Sequence, residues 1–290
     1  MAEHYDVPGK VVLITGAARG IGAEAARQLY AKGAQISLVG IEPELLEQRA
    51  RELGARAAWF EADVTDTEAL HGAVDATVER FGGIDVVIAN AGIAPIGTVA
   101  TIDPEAFERT IEINLLGVWR TVRATLPHVV ARRGYILPIA SLAAALHMPL
   151  MAHYAATKAG VEAFSNSLRG EVAHTGTKVG VAYFSFIGTD MVHESFEEGP
   201  AKLLRENTPG PVSGVASVES AGRAIVRAIE RRARKAYAPR WVPIPLALRG
   251  VLQPLIEKQN HDAIEQAVKL TDAEAPARAE QPLAEQATSE

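Results

Sequence analysis

Cysteine is absent from the 290-residue chain, which excludes disulfides, thiolate nucleophiles and zinc sites built on sulfur. No catalytic step can depend on a thiol, and the composition fits a reducing compartment. Positive charge is not in excess either. The 29 Lys and Arg residues against 35 Asp and Glu give a formal net charge of −6, which offers no broad attraction to a phosphate backbone, so nucleic acid is not an expected partner. The dense basic cluster Arg231-Arg232-Ala233-Arg234-Lys235 falls at the end of a predicted helix, where cations complement the helix dipole. A solvated helix end is its first reading, a phosphate or lipid headgroup site its second. No uninterrupted apolar stretch is long enough to span a bilayer, and Met1 to Lys10 lacks the apolar run of a secretory signal. The expectation is a cytoplasmic protein. No internal repeat is visible.

What is present is a regular alternation. Val11-Val12-Leu13-Ile14 is short, continuous and β-branched, as a strand buried on both faces should be. Glycine-rich sequence follows, then a helix from Ile21 to Lys32 ended by Gly33, a strand at Ile36 to Val39, and a helix opened by Pro43. The pattern continues with strands at Ala57 to Phe60, Ile84 to Ala89, Tyr135 to Ala140 and Val179 to Phe184. Helices are predicted at Thr67 to Phe81, at Pro104 to Arg132 with an interruption near Gly117, at Ala152 to His174 and at Val218 to Arg231. This predicts an α/β, Rossmann-type, doubly wound parallel sheet of about seven strands with helices on both faces, where ligands sit beyond the carboxyl ends of the strands. Residues 1–238 form the predicted domain, 239–271 an apolar C-terminal extension, and 272–290, rich in Ala, Glu, Gln and Pro, a disordered tail. His193 to Gly214 reads as a loop that could cover a site.

After the first strand comes Thr15-Gly16-Ala17-Ala18-Arg19-Gly20-Ile21-Gly22. Its glycines stand where a chain must turn tightly, approach a pyrophosphate and pack a helix on a strand, with backbone N–H groups facing the phosphates. The spacing, Gly-x-x-x-Gly-x-Gly, resembles the nucleotide motif of the classical short-chain dehydrogenase/reductase family. The resemblance extends along residues 8 to 238. It implies an adenine contact at Asp63-Val64 after the third strand, and it matches the Asn90-Ala91-Gly92 that follows the fourth. An acidic residue that would select NAD is expected about 20 residues past the glycines, and that position holds Gly40, followed by Ile41, so neither an acidic nor a basic selector stands there, although Glu42 lies close enough to substitute for the acid. The missing carboxylate removes repulsion of a 2′-phosphate and Arg19 supplies a charge, so NADP(H) is favoured over NAD(H).

Tyr154 and Lys158, in Tyr154-Ala155-Ala156-Thr157-Lys158, lie one helical turn apart on one face. A phenol with a free pKa near 10 becomes a useful base only when a nearby cation favours its phenolate. Ser141 at the end of the fifth strand and Asn114 in the preceding helical region complete a set similar to the family's tetrad in order and context. The resemblance implies that Tyr154 is the acid in reduction and the base in oxidation, and that Ser141 holds the substrate oxygen. It further implies that Lys158 also binds the nicotinamide ribose, that Asn114 anchors a proton-feeding water, and that Thr189 meets the carboxamide. No metal is required. Two departures stand out: Ser185-Phe186 replaces the family's Pro-Gly, and Pro138 predicts a bend just before Ser141.

These residues point to an oxidoreductase that interconverts a hydrophobic secondary alcohol and a ketone. A 3-oxoacyl thioester reductase is the alternative within catalysis, and a non-catalytic nucleotide-binding sensor the alternative outside it. Ala94-Pro95-Ile96, Leu142-Ala143, His147-Met148 and Met191 to Leu204 form an apolar substrate side, with His147 and His153 taken as packing or orienting residues. The apolar stretch from Trp241 to Ile256 needs a partner. In order, the candidates are the substrate pocket, another subunit, and a membrane surface anchored by the basic cluster. The resemblance implies a homotetramer, or a dimer, joined through the helices containing Asn114 and Tyr154.

Overall fold

A computed structural model describes residues 4–196, 199–208, 210–259 and 261–279. Six strands form a parallel sheet in the order β3-β2-β1-β4-β5-β6. They are β1 (Val11–Thr15), β2 (Gln35–Gly40), β3 (Ala57–Glu61), β4 (Val86–Ala89), β5 (Tyr135–Pro138) and β6 (Lys178–Val179). A parallel pair, β7 (Val181–Phe184) and β8 (Lys235–Ala238), continues beyond them. The order reverses between β1 and β4, the central strands, which are hydrogen-bonded to each other, and this opens a crevice at their carboxyl ends. Alternate side chains feed opposite faces: Val12 and Ile14 pack in one core cluster and Leu13 in the other.

The helices of the sheet are α1 (Gly20–Ala31), α2 (Pro43–Leu53), α3 (Thr67–Phe81), α4 (Pro104–Ile111), α5 (Gly117–Ala131) and α6 (Ala152–Glu171). The interruption expected near Gly117 is a single π-helical turn, Glu112–Leu116, joining α4 to α5. The strand read as Val179 to Phe184 is broken at Gly180, where a side chain would meet the Tyr135 hydroxyl and the Ala233 carbonyl. Tyr135 is buried and its hydroxyl donates to that carbonyl at 2.7 Å, so the close approach of three segments forces a glycine and a kink.

Three more expectations are corrected. The loop read at His193 to Gly214 holds α7 (Asp190–Phe196), α8 (Gly199–Glu206) and a 3₁₀ turn at Gly210–Ser213. The basic cluster is not only a helix end. After α9 (Val218–Arg231), Arg232 turns with φ 42° and Lys235 opens β8, a strand too short and too flanked by charge to show in the sequence. The segment after Ala238 is helical: α10 (Pro243–Ala247), α11 (Arg249–Gln259) and α12 (His261–Ala279). The tail read as disordered from Asp272 is thus helical over residues 272–279. Its polar composition hid an anchor, because the Asp272 carboxylate accepts from the Thr98 and Thr101 hydroxyls at 2.8 and 2.9 Å. Residues 280–290 lie outside the described residues.

One face of the extension is satisfied. Val242 and Leu246 are buried, and Leu252 and Ile256 pack against the same cluster, while Ile244, Leu248, Val251 and Leu255 remain exposed. No described helix is long and apolar enough to cross a membrane.

Candidate active site

A cleft of about 590 Å³ lies at the crevice between β1 and β4. Gly16 turns with φ 62° and Gly20 with φ 54°, conformations that favour glycine. A side chain at Gly16 would come within 2.8 Å of the Ala91 backbone, and one at Gly22 would strike the Gly16 carbonyl. The turn is locked by Asn90, whose amide donates to the carbonyls of Thr15 and Gly16, each at 3.0 Å. Behind the turn starts α1, with no side-chain cap and no acid in its first turn, unlike α3, which Asp66 caps through two hydrogen bonds. Uncapped N–H groups at a helix start facing a glycine cradle suit a phosphate. The residues present therefore fit a dinucleotide.

Of the residues expected to hold it, Gly16, Arg19, Gly20 and Ile21 line the cleft on one side, and Asp63 and Val64 line its floor. Asn90, Ala91 and Gly92, with Tyr154, Lys158 and Thr189, line the rest. Gly22 does not reach the cleft surface and serves the packing of α1. The Asp63 carboxylate accepts from the Thr65 N–H, two residues on, at 2.8 Å. Arg19 and Glu42, read separately in the sequence, form an ion pair at 2.8 Å across the mouth of the cleft beside Ile41.

The chemical groups converge at the opposite end. Pro138 closes β5, and the next residues leave β4 for β7: the Ile139 N–H still donates to Ala89, but the Ala140 N–H donates to Ala182 at 2.8 Å. This bend leaves the Ile139 carbonyl free to accept from the Lys158 ammonium at 3.1 Å, and it delivers Ser141 to the cleft. The Ser141 hydroxyl donates to the Phe184 carbonyl at 3.2 Å and accepts from the Ala143 N–H at 3.1 Å. Lys158 stands 5.4 Å from the centre of the Tyr154 ring. Burial pushes the Tyr154 phenol above its ordinary value, and its hydrogen bond with Ser141 pulls it partly back. Burial also pushes the Lys158 ammonium down to about 8.

Asn114 is fully buried in the π turn, whose extra residue aims its amide at the chain after β4. The amide accepts from the Ile93 N–H and donates to the Ile93 carbonyl, both at 2.8 Å. It lies behind Gly92 rather than on the cleft: a side chain at Gly92 would come within 3.1 Å of Asn114 and 3.6 Å of the Lys158 ammonium. The His153 Nε2–H donates to the Pro95 carbonyl at 2.8 Å, and burial holds its pKa down. His147 is exposed.

Next to the cleft is an apolar cavity of about 100 Å³ that shares Ser141 and Tyr154 with it. Phe186, in place of the expected glycine, packs edge-on against Phe196 of α7 at 4.9 Å and closes one side. Ile256 of α11 stands in this wall, at the end of the apolar stretch whose first expected partner is the substrate pocket and more than a hundred residues beyond Ser141 and Tyr154.

The sequence matches the short chain dehydrogenase family over residues 10–199, and the chain belongs to that family. It is 34% identical over 223 residues to (-)-trans-carveol dehydrogenase of Rhodococcus erythropolis, covering 71% of this chain and 79% of that one. It is 35% identical over 195 residues to dehydrogenase/reductase SDR family member 7B of Bos taurus, covering 64% of this chain but only 60% of that relative. Among solved structures, a 3-ketoacyl-(acyl-carrier-protein) reductase of Brucella melitensis complexed with NADH superposes with a TM-score of 0.71 at 25% identity, covering 80% of this chain and 97% of that one.

Proposed function

We propose that the chain is an NAD(P)-dependent oxidoreductase that interconverts an apolar secondary alcohol and its ketone. The observation that carries this is the position of Tyr154 and Ser141 at the junction of the nucleotide-shaped cleft and the apolar cavity. Two hydroxyl donors there can meet one substrate oxygen while the rest of the molecule stays dry. When bound, the nicotinamide supplies or accepts the hydride. In reduction Tyr154 gives its proton to the carbonyl oxygen. Ser141 turns from the Phe184 carbonyl to the same oxygen and stabilises the developing alkoxide. Lys158, held by Ile139, keeps a positive charge beside the phenol. Asn114 holds the Ile93 segment that backs Gly92 and Lys158. The test is oxidation of NADPH and NADH, separately, against apolar ketones, diketones, steroids and acetoacetyl thioesters. Turnover of the thioesters alone would replace this reading with the thioester reductase.

NADP(H) is the proposed preference, because Arg19 borders the cleft where no acid occupies position 40. Glu42 restrains it through the ion pair. Arg19→Ala is expected to lower kcat/KM for NADPH by about 10- to 100-fold, the worth of one charge-assisted hydrogen bond, and to leave NADH within about threefold. Glu42→Gln is expected to shift the ratio further towards NADPH. Steady-state kinetics with both cofactors checks this, and equal losses with both would place Arg19 outside 2′-phosphate recognition.

The proposed assembly is a homotetramer through α4, α5 and α6. The exposure of Trp119 on α5, stacked by Arg123 at 5.3 Å, supports an interface there. Light scattering is expected to give about four times the chain mass, and Trp119→Glu to lower it.

A further inference from the structure

We propose that α11 is the substrate-selecting wall of this site and that Ile256 sets the size of the carbonyl compound admitted: compact, branched or monocyclic, and uncharged. The inference rests on the oxidoreductase reading and adds to it the substrate class and the residue that fixes it.

The helix is built into the site by polar clamps. Arg249 forms a two-pronged ion pair with Glu162, at 3.0 and 3.1 Å, and Glu162 lies one turn beyond Lys158 on α6. Such a fork fixes orientation as well as distance. One turn along α11, the Gln253 amide accepts from the His147 N–H at 2.8 Å and donates to the His147 carbonyl at 3.3 Å, holding the segment that follows Ser141. Arg249, Leu252, Gln253 and Ile256 recur at the three- and four-residue spacing of one helix face. That face therefore meets the catalytic helix first, the post-Ser141 segment second and the cavity third. The opposite face, with Val251 and Leu255, is exposed. Two polar anchors on the site side are a wall's construction, not a loose cover's.

The cavity behind the wall is small, about 100 Å³, against the several hundred of a site for a drug-sized ligand. Among the described residues its lining contains no Lys, Arg, Asp or Glu, so a carboxylate or phosphate would be buried there without a permanently charged partner, at a cost of several kcal/mol. Met148, Met151 and Met191 supply adaptable apolar surface. The hydroxyls of Ser141 and Tyr154, at the border with the nucleotide-shaped cleft, mark where the reacting oxygen of a substrate goes. A ring ketone or branched ketone satisfies all four conditions.

The experiment measures kcat/KM for cyclopentanone, cyclohexanone, 4-tert-butylcyclohexanone and a decalone with wild type, Ile256→Ala and Ile256→Phe. Calorimetric binding of cyclohexanol and 4-tert-butylcyclohexanol to the same proteins gives a readout independent of turnover. Wild type is expected to favour the smaller rings. Ile256→Ala should gain about tenfold or more on the bulky ketones, the worth of one or two methylenes in a pocket, and Ile256→Phe should lose as much on every ring. Nucleotide affinity and melting temperature should hold for both. An unchanged size profile and unchanged alcohol binding in both folded variants would overturn the assignment of Ile256 while leaving the oxidoreductase reading intact. Absence of turnover by wild type on every ketone, with nucleotide bound, would defeat that reading and this inference together.

Discussion

Tyr154→Phe is expected to lower kcat/KM for ketone reduction by about two to four orders of magnitude, with nucleotide affinity and melting temperature near wild type. The substitution removes one oxygen and leaves the ring. That ring packs with Ala94, Met151 and Phe196 in a small apolar cluster, and those contacts survive. What is lost is the proposed proton donor at the junction of the cleft and the cavity, and with it one of two hydroxyls able to meet a developing alkoxide there. Ser141 can still donate a hydrogen bond, but its proton comes from an aliphatic hydroxyl, a far weaker acid than a phenol. The measurement is absorbance-monitored cofactor oxidation beside a fluorescence titration of nucleotide. Unimpaired turnover would remove Tyr154 from the chemistry. Lost nucleotide binding would make its role structural instead.

The parts of this site legible in sequence were those whose geometry is local. A glycine turn must have its glycines at fixed spacing because the Gly16 and Gly22 contacts tolerate no side chain, and Tyr154 and Lys158 share a helix face by periodicity alone. The strand alternation placed Asp63, Asn90 and Ser141 at strand ends for the same reason. Pro138 foretold a bend, although not its use, which is to free the Ile139 carbonyl for Lys158. What stayed hidden depends on distant partners. Gly180 breaks its strand because Tyr135 and Ala233 crowd it. Neither crowding residue is a sequence neighbour. The strand at Lys235–Ala238 exists through its pairing with β7, and Arg19 meets Glu42 only because β2 returns beside β1. Asp272 looked like part of a polar tail until Thr98 and Thr101 came to it.

Lys158→Met is expected to abolish turnover and yet stabilise the nucleotide-free protein at pH 7. Burial lowers the ammonium's pKa from its ordinary 10.5 to about 8, so between those values the unfolded chain holds a proton that the folded chain has released. Stability then rises with pH across that window. Below pH 8 the folded state carries the full cost of the buried cation, on the order of 3 kcal/mol at about 1.4 kcal/mol per tenfold change in proton affinity. Methionine removes that cost with similar length and no charge. It also leaves the Ile139 carbonyl without its donor, which offsets about 1 to 2 kcal/mol. The net expectation is a gain of about 1 to 2 kcal/mol, a few degrees in melting temperature, that disappears as pH rises from 8 to 10.5. Catalysis shows the opposite dependence. With the ammonium discharged above about pH 8, wild-type kcat/KM for reduction should fall about tenfold per pH unit, because the phenol loses its neighbouring cation. Thermal melts of both proteins from pH 6 to 10.5, beside a pH–rate profile of wild type, check both signs. A mutant less stable than wild type at every pH would show that the folded protein already compensates the buried charge, and that the cation's role at Tyr154 carries no cost in stability.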